Sequence, residues 1–177
     1  MKRHVIADAG PLIALARLER LDLLQRLFGT VLVTGWVADE VLTGGDFPDI
    51  AGLRAALTQP WLQTVELQDL TNPDSQAQCR DLMNLHQIDM GEASAMVLAQ
   101  HLASQGDAAM LLMDDFRGRS AAQHSGFSLI GTTGLLLLGK QVGAIVAVKP
   151  CLLALREHGY FLSDRLIASA LEQAGEN

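Results

Sequence analysis

Ala108-Ala109-Met110-Leu111-Leu112-Met113-Asp114-Asp115 is the stretch that decides the fold. Six apolar residues run without a break into two aspartates. An apolar run that short, followed by helix signals, reads as a strand buried on both faces of a parallel sheet. The pattern recurs near the N-terminus, where Val5-Ile6-Ala7 runs straight into Asp8. In such sheets, ligand sites lie beyond the carboxyl ends of the strands. Asp8 and Asp114 are therefore expected at one site, reached from opposite ends of the chain. Carboxylates brought together without a cation repel, and one is forced to take up a proton. A divalent metal is the usual way to keep several of them charged.

Outward from these two strands, the first (about 4–8) is followed by Gly10-Pro11, which opens a helix because proline suits a first turn. That helix and its successor run through Leu12, Leu15, Leu18, Leu21, Leu24 and Leu27, and Gly29 ends them. Thr30-Val31-Leu32-Val33 reads as a second strand, and Thr34 as the cap of a helix covering Val37 to Leu42. Gly44-Gly45-Asp46 with Pro48 marks a loop. A short helix near 50–57, a strand at about 61–66 and a polar loop at 68–74 follow. Helices at about 74–86 and 90–104 precede the strand at 108–113, and another runs from about 115 to 124. Phe127-Ser128-Leu129-Ile130 is the fifth strand. Gly131-Thr132-Thr133-Gly134 turns into an apolar helix, and helices at 147–158 and 163–174 close the chain. The alternation implies a three-layer α/β/α fold with a mainly parallel central sheet of about five strands, in one domain over residues 1–177.

Composition narrows the function classes. With 49% hydrophobic residues over 177, a folded core is expected and disorder is not. A net charge of −7 and a pI near 5.1 argue against broad, nonspecific nucleic-acid binding, though a local basic patch or a metal can still hold a phosphate. Aromatics are only 5%, too few for a base-stacking platform. Cys79 and Cys151 show no metal spacing and read as reduced thiols of a cytoplasmic protein. No signal peptide or membrane span is visible. The five histidines are scattered, and no P-loop, GxSxG, HExxH or GxGxxG is present.

Each acid has a structural and a chemical reading. Asp8 caps the helix near Pro11 or ligates a metal. Glu40, in Val37-Ala38-Asp39-Glu40, reads by itself as part of a solvated face. Asp89-Met90-Gly91-Glu92 has the spacing of a capping box, yet the small residues around it let this helix pack closely and sink a carboxylate into a crevice. After the strand, Asp114 is the metal-ligand candidate, with Asp115 as cap or support. Arg117 and Arg119 bind a phosphate or neutralise the acids, and Lys140 is a further source of positive charge. Thr133 is placed to hydrogen-bond into the site.

These residues, taken in order, resemble the PIN-domain family of metal-dependent nucleases, which includes the VapC-type toxins. The likeness rests on Val5 to Leu15, Val37 to Glu40, Asp89 to Ala93, Leu112 to Asp115 with Gly118-Arg119, and Gly131 to Leu136. Val148-Lys149-Pro150 and Ala174-Gly175-Glu176 extend it over nearly the whole chain, toward a branch of small prokaryotic PIN-like proteins. The resemblance implies an acidic quartet at Asp8, Glu40, Glu92 and Asp114, leaving Asp89 as helix cap. It implies a Mg²⁺- or Mn²⁺-dependent ribonuclease, the toxin of a toxin–antitoxin pair, with an RNA substrate, a small antitoxin partner and a homodimeric state. Many PIN toxins carry Ser, Thr or Asn two residues after the first aspartate, where this chain has Gly10. That departure supports an alternative, a weak or silent PIN-like binding module. A haloacid-dehalogenase-type phosphohydrolase would need Asp-x-Asp after the first strand, and Asp8-Ala9-Gly10 lacks the second acid.

Overall fold

In the computed structural model, residues 2–43, 50–69 and 74–176 are described. The loop expected at Gly44-Gly45-Asp46 and Pro48 lies outside them, as does most of the loop expected at 68–74. The strands are β1 (Arg3–Ala7), β2 (Val31–Thr34), β3 (Leu62–Val65), β4 (Ala108–Leu112) and β5 (Ser128–Ile130). The helices before β3 are α1 (Ala9–Arg17), α2 (Asp22–Phe28), α3 (Gly35–Thr43) and α4 (Ile50–Leu57). Next come α5 (Ser75–His86), α6 (Met90–Ser104) and α7 (Phe116–His124), then α8 (Thr132–Gln141), α9 (Lys149–Glu157) and α10 (Asp164–Ala174).

The five strands form one sheet in the order β3-β2-β1-β4-β5, and every pairing is parallel. The expected α/β architecture is the observed one. Alternate side chains of a strand face opposite sides, and β1 shows it. Val5 and Ala7 enter one apolar core with α1, α2, α3, α8 and α9. Ile6 enters the other, with Leu111 and residues of α5, α6 and α7. Each face is thus covered by helices, which explains the uninterrupted apolar runs. Thr34 ends β2 instead of standing outside it, and its hydroxyl still accepts from the Val37 amide at 3.3 Å. Both cysteines are free, as read. Among the described residues, no helix is long and apolar enough to cross a membrane.

Candidate functional site

The chain leaves β1 toward β2 and β3 on one side, while β4 and β5 fill the other. The crevice beyond the carboxyl ends of β1 and β4 is therefore the topological switch point, where open α/β sheets bind their ligands. Asp8 follows β1 directly, its amide donating to Leu112 O at 3.0 Å. Asp114 follows Met113, whose amide donates to Ile130 O at 3.0 Å. The two aspartates thus leave neighbouring strands into the same crevice. Asp8 holds the N-cap position of α1 in an extended backbone conformation, yet its side chain makes no capping hydrogen bond. It is only 8% exposed. Burial pushes its carboxyl up to about 8; Asp89, Glu92 and Glu40 add to the rise, against the Ala9 amide.

The capping box at α6 is real. Glu92 N donates to Asp89 Oδ1 at 2.8 Å, and Asp89 N donates to Glu92 Oε2 at 3.0 Å. Capping occupies only half of the Glu92 carboxylate, which is 3% exposed and whose second oxygen, Oε1, has no hydrogen-bond partner. Among the described residues it is the only buried side-chain nitrogen or oxygen so placed, and such an orphan calls for a missing partner. Burial pushes Glu92 up to about 7; the Asp89 amide opposes the rise, and the Asp89 and Asp115 carboxylates add to it.

Gly91 shows where the acids meet. A Cβ there would stand 2.9 Å from Glu40 Oε2 and 3.3 Å from both Asp8 Oδ1 and Asp89 Oδ1. Oxygens from β1's end, from α3 and from the start of α6 thus crowd one point over a glycine. Glu40 is exposed, and its carboxyl is still raised, by partial burial first and then by Asp89. Gly118 plays the same part for Glu92: a Cβ there would run into Glu92 Oε1 and Met113 Sδ.

Asp114 is held by three donors. Thr132 N reaches Oδ1 at 2.8 Å, while Thr132 Oγ1 and Tyr160 Oη reach Oδ2 at 2.5 and 2.6 Å. Burial raises the Tyr160 phenol, and the Asp114 charge beside it raises it further. The hydroxyl that bonds Asp114 belongs to Thr132; Thr133 lines a cleft of about 370 Å³ together with Asp114, Arg119 and Gln173. Asp115 caps α7, accepting from Arg117 N at 2.7 Å and Gly118 N at 3.2 Å. Arg119 Nη1 donates to Met113 O at 2.9 Å, which keeps its guanidinium beside Asp114. Arg117 is exposed, with Nη1 3.4 Å from Gln87 O. Lys140 is engaged elsewhere, donating to Ala174 O and Glu176 Oε1 at 2.7 Å each.

The DUF3368 family model, described as a PIN domain, matches residues 4–176. The chain belongs to the PIN-domain family. PIN domains are typically nucleases and commonly bind divalent metals. No curated protein matches the sequence. In this PIN domain the acids stand as two parties. Asp8, Glu40 and Asp89 meet over Gly91, with Glu92 one residue further along α6, while Asp114 is bonded to Thr132 and Tyr160. Among the described residues, no three His, Cys, Asp or Glu side chains form a ready-made cage for a metal ion. The donor set nevertheless suits a hard divalent cation: it is all oxygen, mostly carboxylate, and includes one buried oxygen without a partner.

Sequence reasoning did not reach two residues of this PIN domain, Thr132 and Tyr160. Thr132 was hidden beside Thr133 in a turn that many strand-to-helix connections share. Tyr160 is the only tyrosine of the chain and lies between α9 and α10, with no periodic pattern around it to mark its direction.

Proposed function

We propose that this PIN domain is a divalent-metal-dependent endoribonuclease, with Mg²⁺ or Mn²⁺ as its ion, and that it acts as the toxin of a toxin–antitoxin pair. The observation that carries the reading is the crowding of Glu40, Asp8 and Asp89 oxygens around one point over Gly91; the unpartnered Glu92 Oε1, against Gly118, adds to it. Uncompensated buried charges cost several kcal/mol. Here that cost is visible as the raised carboxyls of Asp8 and Glu92. A cation relieves it. Asp8, Glu40, Glu92 and Asp114 would hold the ion, with Asp89 available as an alternative ligand.

When bound, a divalent ion lowers the pKa of a coordinated water and offsets charge on the phosphoryl oxygens. The chain's own residues aim and receive. Asp8 is fixed by its place at the end of β1, and Asp114 by Thr132 and Tyr160. One of the carboxylates orients the attacking water or takes its proton. Arg119, beside Asp114 in the adjoining cleft, would meet a phosphate of the RNA, and the exposed Arg117 would add charge at its edge. Lys140 could take part only by leaving Glu176. A small antitoxin would silence the site by placing a basic or peptide segment near the acids, and two copies of the chain would form the homodimer. Two free cysteines fit a reducing cytoplasm.

A second reading, a PIN-like binding module with little or no activity, is favoured by one feature. Both oxygens of Asp114 are already occupied by protein donors. RNA cleavage with and without Mg²⁺ or Mn²⁺ separates the two, using wild type, Asp8→Asn and Asp114→Asn. The nuclease reading expects metal-dependent cleavage by wild type and a loss of about 100-fold or more in each variant. Equal cleavage by all three sinks it, and no cleavage by wild type at any metal concentration leaves the binding module.

A further inference from the structure

We infer that Tyr160 is a positioning residue of the carboxylate site, acting on a bound divalent cation through Asp114. The inference rests on the metal-dependent reading above and concerns a side chain, Tyr160, that the sequence pattern does not single out.

Tyr160 arrives from the far end of the chain. It lies in the connector between α9 and α10, and Arg17 Nη1 of α1 donates to His158 O of the same connector at 3.1 Å. Gly159, at φ 80°, takes a left-handed turn that L side chains rarely adopt. The phenol then reaches 46 residues back along the chain to bond Asp114 Oδ2 at 2.6 Å. Its neighbour Phe161 faces outward, 91% exposed. The connector therefore sends one aromatic ring into the site and the next into solvent.

Gly10 leaves room for this arrangement. A Cβ at Gly10 would lie 3.6 Å from Tyr160 Oη, in ordinary contact, so the phenol oxygen fills the space beside the first turn of α1. The hydroxyl at this place in the crevice thus comes from the C-terminal connector and not from α1. The chemical consequence follows from counting lone pairs. A carboxylate offers about four acceptor positions. Asp114 gives two on Oδ2 to Tyr160 Oη and Thr132 Oγ1, and one on Oδ1 to Thr132 N. The remaining position on Oδ1 is the one left for an ion or a bound water. Removing the phenol donor opens a second acceptor position on Oδ2 and leaves the carboxylate held from one side only, by Thr132, so the free position on Oδ1 is less firmly aimed. Partners that orient a ligating carboxylate in this way are worth about 10- to 100-fold in metal affinity.

Because Tyr160 is the only tyrosine, the chain labelled with [¹³Cζ]tyrosine gives one phenol resonance. Mg²⁺ is titrated into the full-length protein while binding is followed by calorimetry and the resonance by NMR. The expected result is a saturable shift with the calorimetric midpoint in wild type, absent in Asp114→Asn, and Mg²⁺ binding weakened about tenfold or more in Tyr160→Phe. If wild type binds Mg²⁺ while the resonance stays still and Tyr160→Phe binds as tightly, the role of Tyr160 is overturned and the metal site stands. If wild type binds no Mg²⁺ at all, the metal-dependent reading fails and the role of Tyr160 fails with it. The resonance of wild type keeps the test decisive even should Tyr160→Phe fold poorly.

Discussion

At Gly91 the absence of a side chain is what lets three carboxylates share one place. The residue sits in the first turn of α6, and its missing Cβ is the volume over which Glu40, Asp8 and Asp89 converge. Alanine at this position adds at most about 1 kcal/mol of helix propensity. It also sets a methyl 2.9 Å from Glu40 Oε2, closer than side chains normally approach. Glu40 is exposed and can swing aside, so the fold survives while the cluster opens. Gly91→Ala is therefore expected to keep its melting temperature within about 3 °C of wild type and to weaken Mn²⁺ binding about tenfold or more. Calorimetric titration of Mn²⁺ into both proteins checks it. Wild-type affinity in the variant would mean that the space over Gly91 is not the ion's place. Glu92 carries a related lesson. Its sequence spacing reads as half of a capping box, and it is one, but only Oε2 is engaged there. The other oxygen is buried and unpartnered, so the cap leaves half of the carboxylate uncommitted.

Among the elements, the end of the chain acts as a clasp. Glu176 follows α10, accepts from Lys140 Nζ of α8 at 2.7 Å, and accepts from the Val148 and Lys149 amides, at 2.7 and 2.8 Å, where α9 begins. Those amides are among the unsatisfied donors of a helix start, where a carboxylate is favoured. The Lys140 hydrogen bond first, then the two amides, draw the Glu176 carboxyl down to about 2 from its ordinary 4.5. A depressed carboxyl contributes stability above its unfolded pKa and loses it as pH falls through the folded one. Glu176→Gln should accordingly melt below wild type at pH 7, with the gap closing as pH falls from 4.5 toward 2. A gap that stays constant across that window would show that charge is not what holds the clasp. The two end segments that carry the family likeness, Val148-Lys149-Pro150 and Ala174-Gly175-Glu176, are joined by this clasp. Their partnership was not visible in sequence, since 28 residues separate Glu176 from Val148 and neither segment has a period. The leucine spacing from 12 to 27 shows the opposite case. It continues across two helices because both pack on the same core, while Glu19 at φ 55° breaks the helix between them.

For the whole molecule, the balance of buried acids sets how stability depends on pH. Asp8 and Glu92 rise from ordinary values of 3.8 and 4.5 to about 8 and about 7. Between those limits the folded chain binds protons that the unfolded chain has released. Unfolding is then favoured by raising the pH, so metal-free stability falls across roughly pH 4 to 8. The melting temperature without metal should decline through that window, by an amount on the order of a few kcal/mol in stability. Saturating Mg²⁺ should flatten the decline. Asp8→Asn should flatten it too, and at pH 8 without metal the variant should be more stable than wild type. Differential scanning calorimetry at pH 5 and 8 gives the sign directly; stability that climbs with pH would contradict the crowding. The fold itself was legible because its evidence is local: apolar runs that end at Asp8 and Asp114 define β1 and β4, and parallel pairing brings those ends together. Glu40 was legible only through family likeness, since Asp39-Glu40 on a helix looks like any solvated face. Thr132 and Tyr160 were not legible, because what they do depends on a crevice formed by distant segments.

The central claim is that the carboxylates beyond β1 and β4 form a divalent-cation site. Titration of Mn²⁺ into the full chain, followed by electron paramagnetic resonance, tests it most directly. Asp107 supplies the control, since it stands just before β4, at the opposite end of the sheet, bonded to the Lys2 amide and His4. The expected result is saturable binding by wild type and by Asp107→Asn, weakened about tenfold or more in Asp8→Asn and in Glu92→Gln. Wild type that takes up no Mn²⁺, or Asp8→Asn and Glu92→Gln that bind it as wild type does, would contradict the claim.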